Sequence, residues 1–389
     1  MPLAGGLLAS LLTPAAGADA AGTGPVSAAL TYTGEAWRNI DGGRRTGSAY
    51  LDNVDATLAV NADAAWGWRD TSIFLHAIYN NGDSLSGSLA GDAQVISNID
   101  TGVRAARVLE AWIDAPLGSG GSIRAGLYDL NSEFDALESA QLFIHSAHGI
   151  GTDIGQSGRN GPSIFPVTGA GVRVAWTLPG AWTVRAAVVD GKPGDPDDAE
   201  RTTIRLSSQE GALVVAEAAW GEPGRQLLAG AWGYTARFDT WRPSAAAPTP
   251  RRARGNGGVY LRGETPVGGA DSGITVFGRL GVADGRFNVF SSFLGAGVTV
   301  DGARFGRPRD RFGAAVAWAE ASSRFQTHGF ADGAEPDDRE VALEITYRLH
   351  LSDRIALQPD LQYVIDPGLR HGRDDVWAAA LRFEVALLR

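Results

Sequence analysis

Alternation of apolar and polar side chains constrains this fold more than any other feature. In residues 341–350 the odd positions are Val, Leu, Ile, Tyr and Leu, and the even positions are Ala, Glu, Thr, Arg and His. Successive side chains of a β-strand point to opposite faces, so this segment has one apolar and one charged face. The pattern recurs along most of the chain. A soluble sandwich can also alternate, but an all-β barrel with lipid outside and water inside better suits a charged face of this extent.

Composition limits the class of protein. The chain has 389 residues, no Cys and a formal net charge of −10. It contains no uninterrupted run of about 18 apolar residues, which argues against a transmembrane helix but not against barrel strands. The acidic balance, without a basic stripe, predicts that the chain binds no nucleic acid. The absence of Cys excludes disulfides and thiolate metal sites, and no motif calls for a cofactor.

Residues 1–20 predict an export signal. A short apolar core runs from Leu3 to Leu12, Pro14 interrupts it, and Ala18-Asp19-Ala20 forms a small-x-small cleavage site. A flexible tail rich in Ala and Gly is the alternative. We therefore expect a signal peptide over residues 1–20 and a β-barrel domain over residues 21–389.

About sixteen alternating segments, bounded by Gly, Pro, Asn and Asp, predict the strands of the barrel. They lie near residues 28–37, 51–64, 71–79, 104–115, 122–129, 169–178, 181–190, 211–220, 226–237, 256–264, 272–282, 292–302, 310–321, 339–350, 353–365 and 373–387. Tight turns follow the second, fourth, sixth, eighth and fourteenth segments, and longer polar stretches follow most odd-numbered ones. This sorting predicts an antiparallel, up-and-down transmembrane barrel with short periplasmic turns and long external loops.

The cost of placing a charge in lipid predicts which face of each strand points to lipid and which points to the lumen. An Arg at the lipid midplane costs roughly 2–4 kcal/mol, so the apolar alternate should face lipid and the charged alternate the lumen. The predicted lumen residues include Arg124, Arg173, Arg185, Arg279, Glu344, Arg348, Arg382 and Glu384. The predicted lipid-facing residues include Val172, Val174, Trp176, Val184, Leu357, Leu361, Leu381 and Phe383. A soluble sandwich is the alternative, but its closed core would bury too many arginines.

A set of motifs in fixed order carries information beyond periodicity. They are Val108 to Trp112, Arg124 to Phe134, Phe143 to Ser146, Phe165-Pro166, Gly169 to Arg173, Val184 to Gly191, Gly211 to Glu217 and, most specific, Gln358 to Gly368. Together they resemble the carbohydrate-selective outer-membrane porins of the OprB type, from about residue 28 to the end of the chain. The resemblance implies a sixteen-stranded barrel in the outer membrane of a Gram-negative bacterium, through which sugars and other small neutral solutes diffuse. The family usually ends in an aromatic residue, whereas this chain ends Leu387-Leu388-Arg389, which puts efficient insertion in doubt.

The resemblance also implies partners. They are carbohydrate solutes, outer-membrane lipid and the barrel-assembly machinery, and a homotrimer is left open. A general or structural barrel without sugar preference is the alternative function, and an outer-membrane enzyme is a weaker one. His145 and His148 lack an evident third metal ligand, and no spacing singles out a Ser-His site. We therefore expect neither catalysis nor a bound metal.

The longest connection, residues 130–168, predicts the pore constriction. Loops of that length are uncommon unless functional, and the resemblance implies that this one folds into the lumen. Its candidate constriction residues are Glu133, Phe134, Asp135, Glu138, His145 and His148. The alternative is that the apolar residues of the loop only pack it against the barrel wall, with its acidic residues solvated outside the pore.

Sugars present hydroxyls at their edges and C–H patches on their faces, so a sugar pore needs charges, amides and an aromatic. The candidate lumen-lining residues are Glu110, Trp112, Arg124, Arg173, Arg185, Arg279, Glu344, Arg348, Gln358, Asp360, Gln362 and Arg382. The alternative is a general charged lining without a sugar-specific role.

Overall fold

The computed structural model describes residues 24–241, 251–269 and 272–388. Within these residues, sixteen antiparallel strands close into one barrel, with the first strand paired to the last. The barrel strands are β1 (Val26–Asp41), β2 (Gly47–Asn61), β3 (Ser72–Asn81), β4 (Arg104–Pro116), β5 (Gly121–Tyr128), β6 (Gly169–Leu178), β7 (Trp182–Asp190), β8 (Ala212–Glu222), β9 (Arg225–Tyr234), β12 (Gly257–Pro266), β13 (Ile274–Ala283), β14 (Phe290–Asp301), β15 (Arg311–Ala321), β16 (Arg339–His350), β17 (Ile355–Ile365) and β18 (Val376–Leu388). The predicted export signal and Arg389 lie outside the described residues.

Each predicted segment overlaps one barrel strand, and the differences lie at the ends. The second segment was expected to reach residue 64, but β2 ends at Asn61. The side chain of Asn61 accepts a hydrogen bond from the backbone N–H of Ala64 and caps the short helix α1 (Ala62–Trp66). Two short strands that the sequence did not predict, β10 (Phe238–Asp239) and β11 (Arg252–Ala253), pair in the connection between β9 and β12.

The two ends of the barrel differ in their connections. At one end the turns are short: residues 179–181 join β6 to β7, and residues 223–224 join β8 to β9. At the other end, the connections include residues 82–103, 129–168 and 191–211. Among the described residues, no helix has the length and hydropathy needed to cross a bilayer.

Alternate residues of a strand differ sharply in exposure. On β6, Val172 is 45% exposed, whereas the neighbouring Arg173 is 3% exposed and contacts Glu133 inside the barrel. Leu381 of β18 is likewise exposed, and the adjacent Arg382 pairs with Glu35. The charged face of the wall therefore points inward and the apolar face outward, as the alternation predicted.

The apolar core lies inside the barrel. Two connections from the long-loop end fold inward, and we call residues 129–168 the inner loop and residues 82–103 the second loop. Phe134, Leu137 and Phe143 of the inner loop are buried in one apolar cluster with wall residues. Leu89 and Ile96 of the second loop belong to another. The two loops therefore fill part of the lumen, and the remaining space determines what can pass.

Candidate functional site

Carboxylates on the barrel wall hold the inner loop in the lumen. Glu264 of β12 accepts hydrogen bonds from the backbone N–H and the hydroxyl of Ser139, at 2.8 and 2.6 Å. Glu344 of β16 accepts the backbone N–H groups of Ile144 and His145, at 2.6 and 3.1 Å. A peptide group that leaves water needs a partner, so these contacts favour the inserted position of the loop.

Asp135 forms a second attachment at the centre of the inner loop. Its carboxylate pairs with Arg262 of β12 at 2.5 Å and with Arg279 of β13 at 2.7 Å, and all three side chains are fully buried. The same carboxylate accepts the backbone N–H of Gly151, while the Asp135 N–H donates to Glu217 of β8. Burial would raise the pKa of Asp135, but the two guanidinium groups lower it below its ordinary value. The carboxylate is therefore ionised at neutral pH and links the loop to β12 and β13, while the backbone N–H of the same residue links it to β8.

Glu133 joins a charged network that reaches open space in the lumen. It pairs with Arg173 at 2.8 Å and lies 3.7 Å from Arg124. Asp114 of β4 pairs with the same two arginines, at 2.7 and 3.0 Å. Burial would raise the pKa of Glu133, but Arg124 and Arg173 lower it below its ordinary value. The side chains of Glu133 and Asp114 remain about one-sixth exposed, at 16% and 15%, so a solute in the lumen can reach this network.

Trp112 was predicted to present an aromatic face to a sugar. Its indole N–H donates to Glu110 at 3.0 Å, and the guanidinium carbon of Arg124 lies 3.7 Å from its ring centroid. Trp112 and Glu110 are both buried. Since Arg124 covers one face of the ring, the aromatic positions the arginine in this structure.

The six candidate constriction residues divide into two groups. Glu133 and Glu138 keep exposed surface, and Glu138 lies 3.7 Å from Arg311 at the short-turn end of β15. Phe134, Asp135, His145 and His148 are buried between the loop and the wall. Burial lowers the pKa of His145 to about 3 and lowers that of His148 well below its usual range. Both imidazoles are therefore neutral at pH 7 and give the lumen no charge.

The remaining candidate wall residues also point inward, and most of them contact one of the two loops. Arg185 donates to the carbonyl oxygen of Glu133, Arg279 to that of Gly149, and Gln358 to that of Leu142. Arg348 is ion-paired with Glu384 and keeps a little exposure. The other buried candidates on the last three strands are Glu344, Asp360, Gln362 and Arg382.

The second loop also enters the barrel, which the sequence did not predict. Glu340 of β16 accepts the backbone N–H groups of Ala93 and Gln94, at 2.7 and 2.8 Å. The hydroxyl of Ser97 donates to Glu35 of β1 at 2.7 Å. This loop therefore narrows the lumen from the side of β1 and β16.

Several wall residues in these contacts were missed as candidates. They are Glu35, Glu217, Arg262, Glu264 and Glu340, and each lies on the polar face of an alternating segment. Alternation could have placed them in the lumen. It could not have shown that Glu217, Glu264 and Glu340 bind loop backbone N–H groups, or that Glu35 and Arg262 bind loop side chains. The described residues include no group of three or more His, Asp or Glu side chains placed to hold a metal ion.

A closed sixteen-strand barrel, apolar outside, charged inside and narrowed by inserted loops, defines a diffusion channel of the outer-membrane porin class. The family model of the carbohydrate-selective porins, OprB family, matches residues 45–387. The chain belongs to this family. It is a multi-pass protein of the outer membrane of Gram-negative bacteria and forms a passive, sugar-selective channel.

Relatives and solved structures agree with this assignment. The chain is 24% identical to Porin B of Pseudomonas aeruginosa over 91% of its own length and 86% of that protein. The high-pH structure of Pseudomonas putida OprB is similar with a TM-score of 0.81 at 19% identity, covering 93% of this chain and 94% of that one. A triple mutant of Rhodopseudomonas blastica porin has a TM-score of 0.53 at 12% identity, covering 93% and 100%. These structural similarities support the barrel fold.

Proposed function

We propose that small neutral sugars, from monosaccharides to short oligosaccharides, pass through this barrel by diffusion along the charged network around Glu133. The observation that carries the proposal is that the network presents two partly exposed carboxylates, Glu133 and Asp114, held in place by the buried guanidinium groups of Arg124 and Arg173. Carboxylates accept hydrogen bonds from sugar hydroxyls. A neutral polyol can replace water at these oxygens, so its passage costs little desolvation.

The same arrangement disfavours solutes with several charges. Asp114 and Glu133 keep 15% and 16% of their side chains exposed, whereas Arg173 between them is buried, so the passage meets mainly carboxylate oxygens. A dianion is repelled by these oxygens, and it must also lose hydration in the narrowed lumen. We therefore expect neutral sugars to pass faster than dianions of similar size.

Proteoliposome swelling with a size series of neutral sugars tests the proposal. Swelling rates should fall steeply from monosaccharides to trisaccharides, and dianions of equal size should lag behind. Purified protein in a planar bilayer should also give discrete ohmic conductance steps without turnover of any substrate. A silent bilayer combined with lipid hydrolysis would favour an enzyme instead, and silence in both assays would favour a structural barrel.

The proposal extends to orientation and partners. We place the short turns in the periplasm and the long loops outside, as in other outer-membrane barrels. The exposed apolar face of the strands fits outer-membrane lipid as its surrounding, and insertion of such a barrel requires the barrel-assembly machinery. A homotrimer would cover part of the same apolar face, and crosslinking in native membranes would detect it.

A further inference from the structure

Arg107 is an unusual buried charge at the long-loop end of the barrel. It lies on β4 and is 5% exposed. Its Nε donates to the backbone carbonyl oxygen of Ala199 at 3.0 Å, and Nη1 is buried without a hydrogen-bond partner. Among the residues that the structure describes, no carboxylate lies within ion-pair distance of it. A buried cation without a counter-charge is unfavourable, so this position requires an explanation.

Two adjoining cavities meet at Arg107. The first has a volume of about 310 Å³ and lies between the second loop, the inner loop and the connection over residues 191–211. The second, of about 370 Å³, is more open and lies against β3 and β4. Arg107 and Arg201 line both. Each volume is at the small end of the range for ligand pockets, which suits a single sugar ring.

The charges around these cavities sum to one uncompensated cation. Asp195 lines the first cavity, but Arg205 neutralises it at 3.2 Å. Arg201 faces Asp198 at 3.7 Å. Arg107 alone is left without an acid in the described part of the chain. A monoanion would neutralise the site, whereas a neutral molecule would leave the charge uncompensated.

The remaining lining fits the body of a sugar. Ile164, Phe165 and Pro166 form an apolar wall suited to the C–H face of a ring. Asn160 also lines the cavity, and because its amide N–H₂ already donates to the carbonyl oxygen of Pro193 at 2.7 Å, its amide oxygen is oriented as an acceptor. We propose that this external site binds a sugar monocarboxylate, with its carboxylate at Arg107 and its ring against the apolar wall.

Calorimetric titration of the purified full-length protein in detergent tests the site. D-glucuronate, D-glucose and acetate are the three probes. Glucuronate should bind at least about tenfold more tightly than either of the others, because only it offers both the anion and the ring. Equal binding of glucose would overturn the role of the charge, and equal binding of acetate would mean an adventitious ion only.

Substitutions locate the interaction. Arg107→Gln should weaken glucuronate binding at least about tenfold, since a charge-assisted hydrogen bond is lost. Arg104→Gln is the matched control, because Arg104 lies on the same strand, is exposed, and donates to the carbonyl oxygen of Asn81. A loss of affinity in both variants, or in neither, contradicts the proposal.

A variant that gains affinity provides a test whose expected result cannot come from misfolding. Asp195→Asn keeps the oxygen that accepts the backbone N–H of Asp197 but removes the acid from the cavity lining. Glucuronate affinity should then rise about threefold, as expected when a like charge is removed from the lining of a hydrated cavity. Unchanged or weaker binding would count against the site. The titration measures binding alone, so its failure would leave the conduction proposed above untouched.

Discussion

Replacing Asp135 by Asn tests how the inner loop is held. The carboxylate accepts hydrogen bonds from Arg262, from Arg279 and from the backbone N–H of Gly151. Asn has nearly the same shape as Asp but no charge, and its amide N–H₂ is a donor that would face the N–H donors of the arginines or of Gly151. After the change, Arg262 keeps its ion pair with Asp153 at 3.1 Å, whereas Arg279 keeps no ion pair among the described residues.

The expected magnitude follows from the burial of the group. Removing one partner of a buried ion pair costs about 3–5 kcal/mol, and because Asp153 retains part of the compensation, we expect about 3 kcal/mol. Asp135 belongs to the inner loop and not to the strand ladder. The loss therefore falls on loop attachment, and the detached population should rise about 150-fold.

Single-channel recording and liposome swelling measure this change. Asp135→Asn should give larger, noisier conductance steps and faster entry of trisaccharides, while the barrel itself should remain folded in detergent. Glu138→Gln is the control, since its exposed pair with Arg311 contributes about 0–1 kcal/mol. If Asp135→Asn leaves conductance and size cut-off at wild-type values, the inner loop is not held by these ion pairs, and our account of the pore constriction is refuted.

Three further predictions concern orientation, acid response and assembly. A tag inserted at Asp195 should be labelled on intact cells and one at Glu222 should not, and the reverse pattern would invert the barrel. Burial holds the pKa of His145 at about 3, so its neutral form stabilises the loop fully above the ordinary pKa of about 6.5 and progressively less as pH falls. Between those pH values, protonation of His145 should weaken the free energy of loop attachment by about 1.4 kcal/mol per pH unit. His145→Asn should remove this contribution, so its conductance should change less as pH falls. A conductance–pH profile parallel to that of the wild type would argue against this. Phe383→Ala should lower the amount of barrel in the membrane, since Phe383 of β18 packs on Tyr32 of β1, where the first and last strands pair and close the barrel; unchanged levels in membrane fractions would show that this contact does not contribute to assembly.

The strands and their facing were predictable because a β-strand has a period of two and the lipid penalty fixes which face is outside. The charged side chains of Arg262 and Glu264 alternate with the uncharged residues Leu261, Gly263 and Thr265 on β12, and both charged side chains lie inside the barrel. The same rule could have added them to the candidate residues. The ends of strands were less predictable, since a local cap such as Asn61 can end a strand where alternation still continues.

The two loops were harder to predict because backbone amides hold them. Glu344 binds the N–H groups of Ile144 and His145, and Glu340 those of Ala93 and Gln94. Every residue except Pro has such an N–H, so the loop sequence gives no sign of which amide a wall carboxylate will accept. The long inner loop was expected in the lumen by resemblance, whereas nothing in its sequence distinguished the second loop.

The polar face of the wall meets two environments that alternation cannot separate. Where a loop covers it, as at Glu344, the carboxylate accepts backbone N–H groups and is almost fully buried. Where the loop leaves a gap, as at Asp114, the carboxylate stays partly exposed although its arginine partners are buried. The wall residue is a carboxylate in both places, but the nearby residues of the inner loop differ. Apolar Leu142 and Phe143 lie in the part of the loop near the buried Glu344, while Glu133 lies near the partly exposed Asp114. The hydrophobicity of the inserted loop, and not that of the wall, therefore predicts which lumen charges a passing sugar can reach.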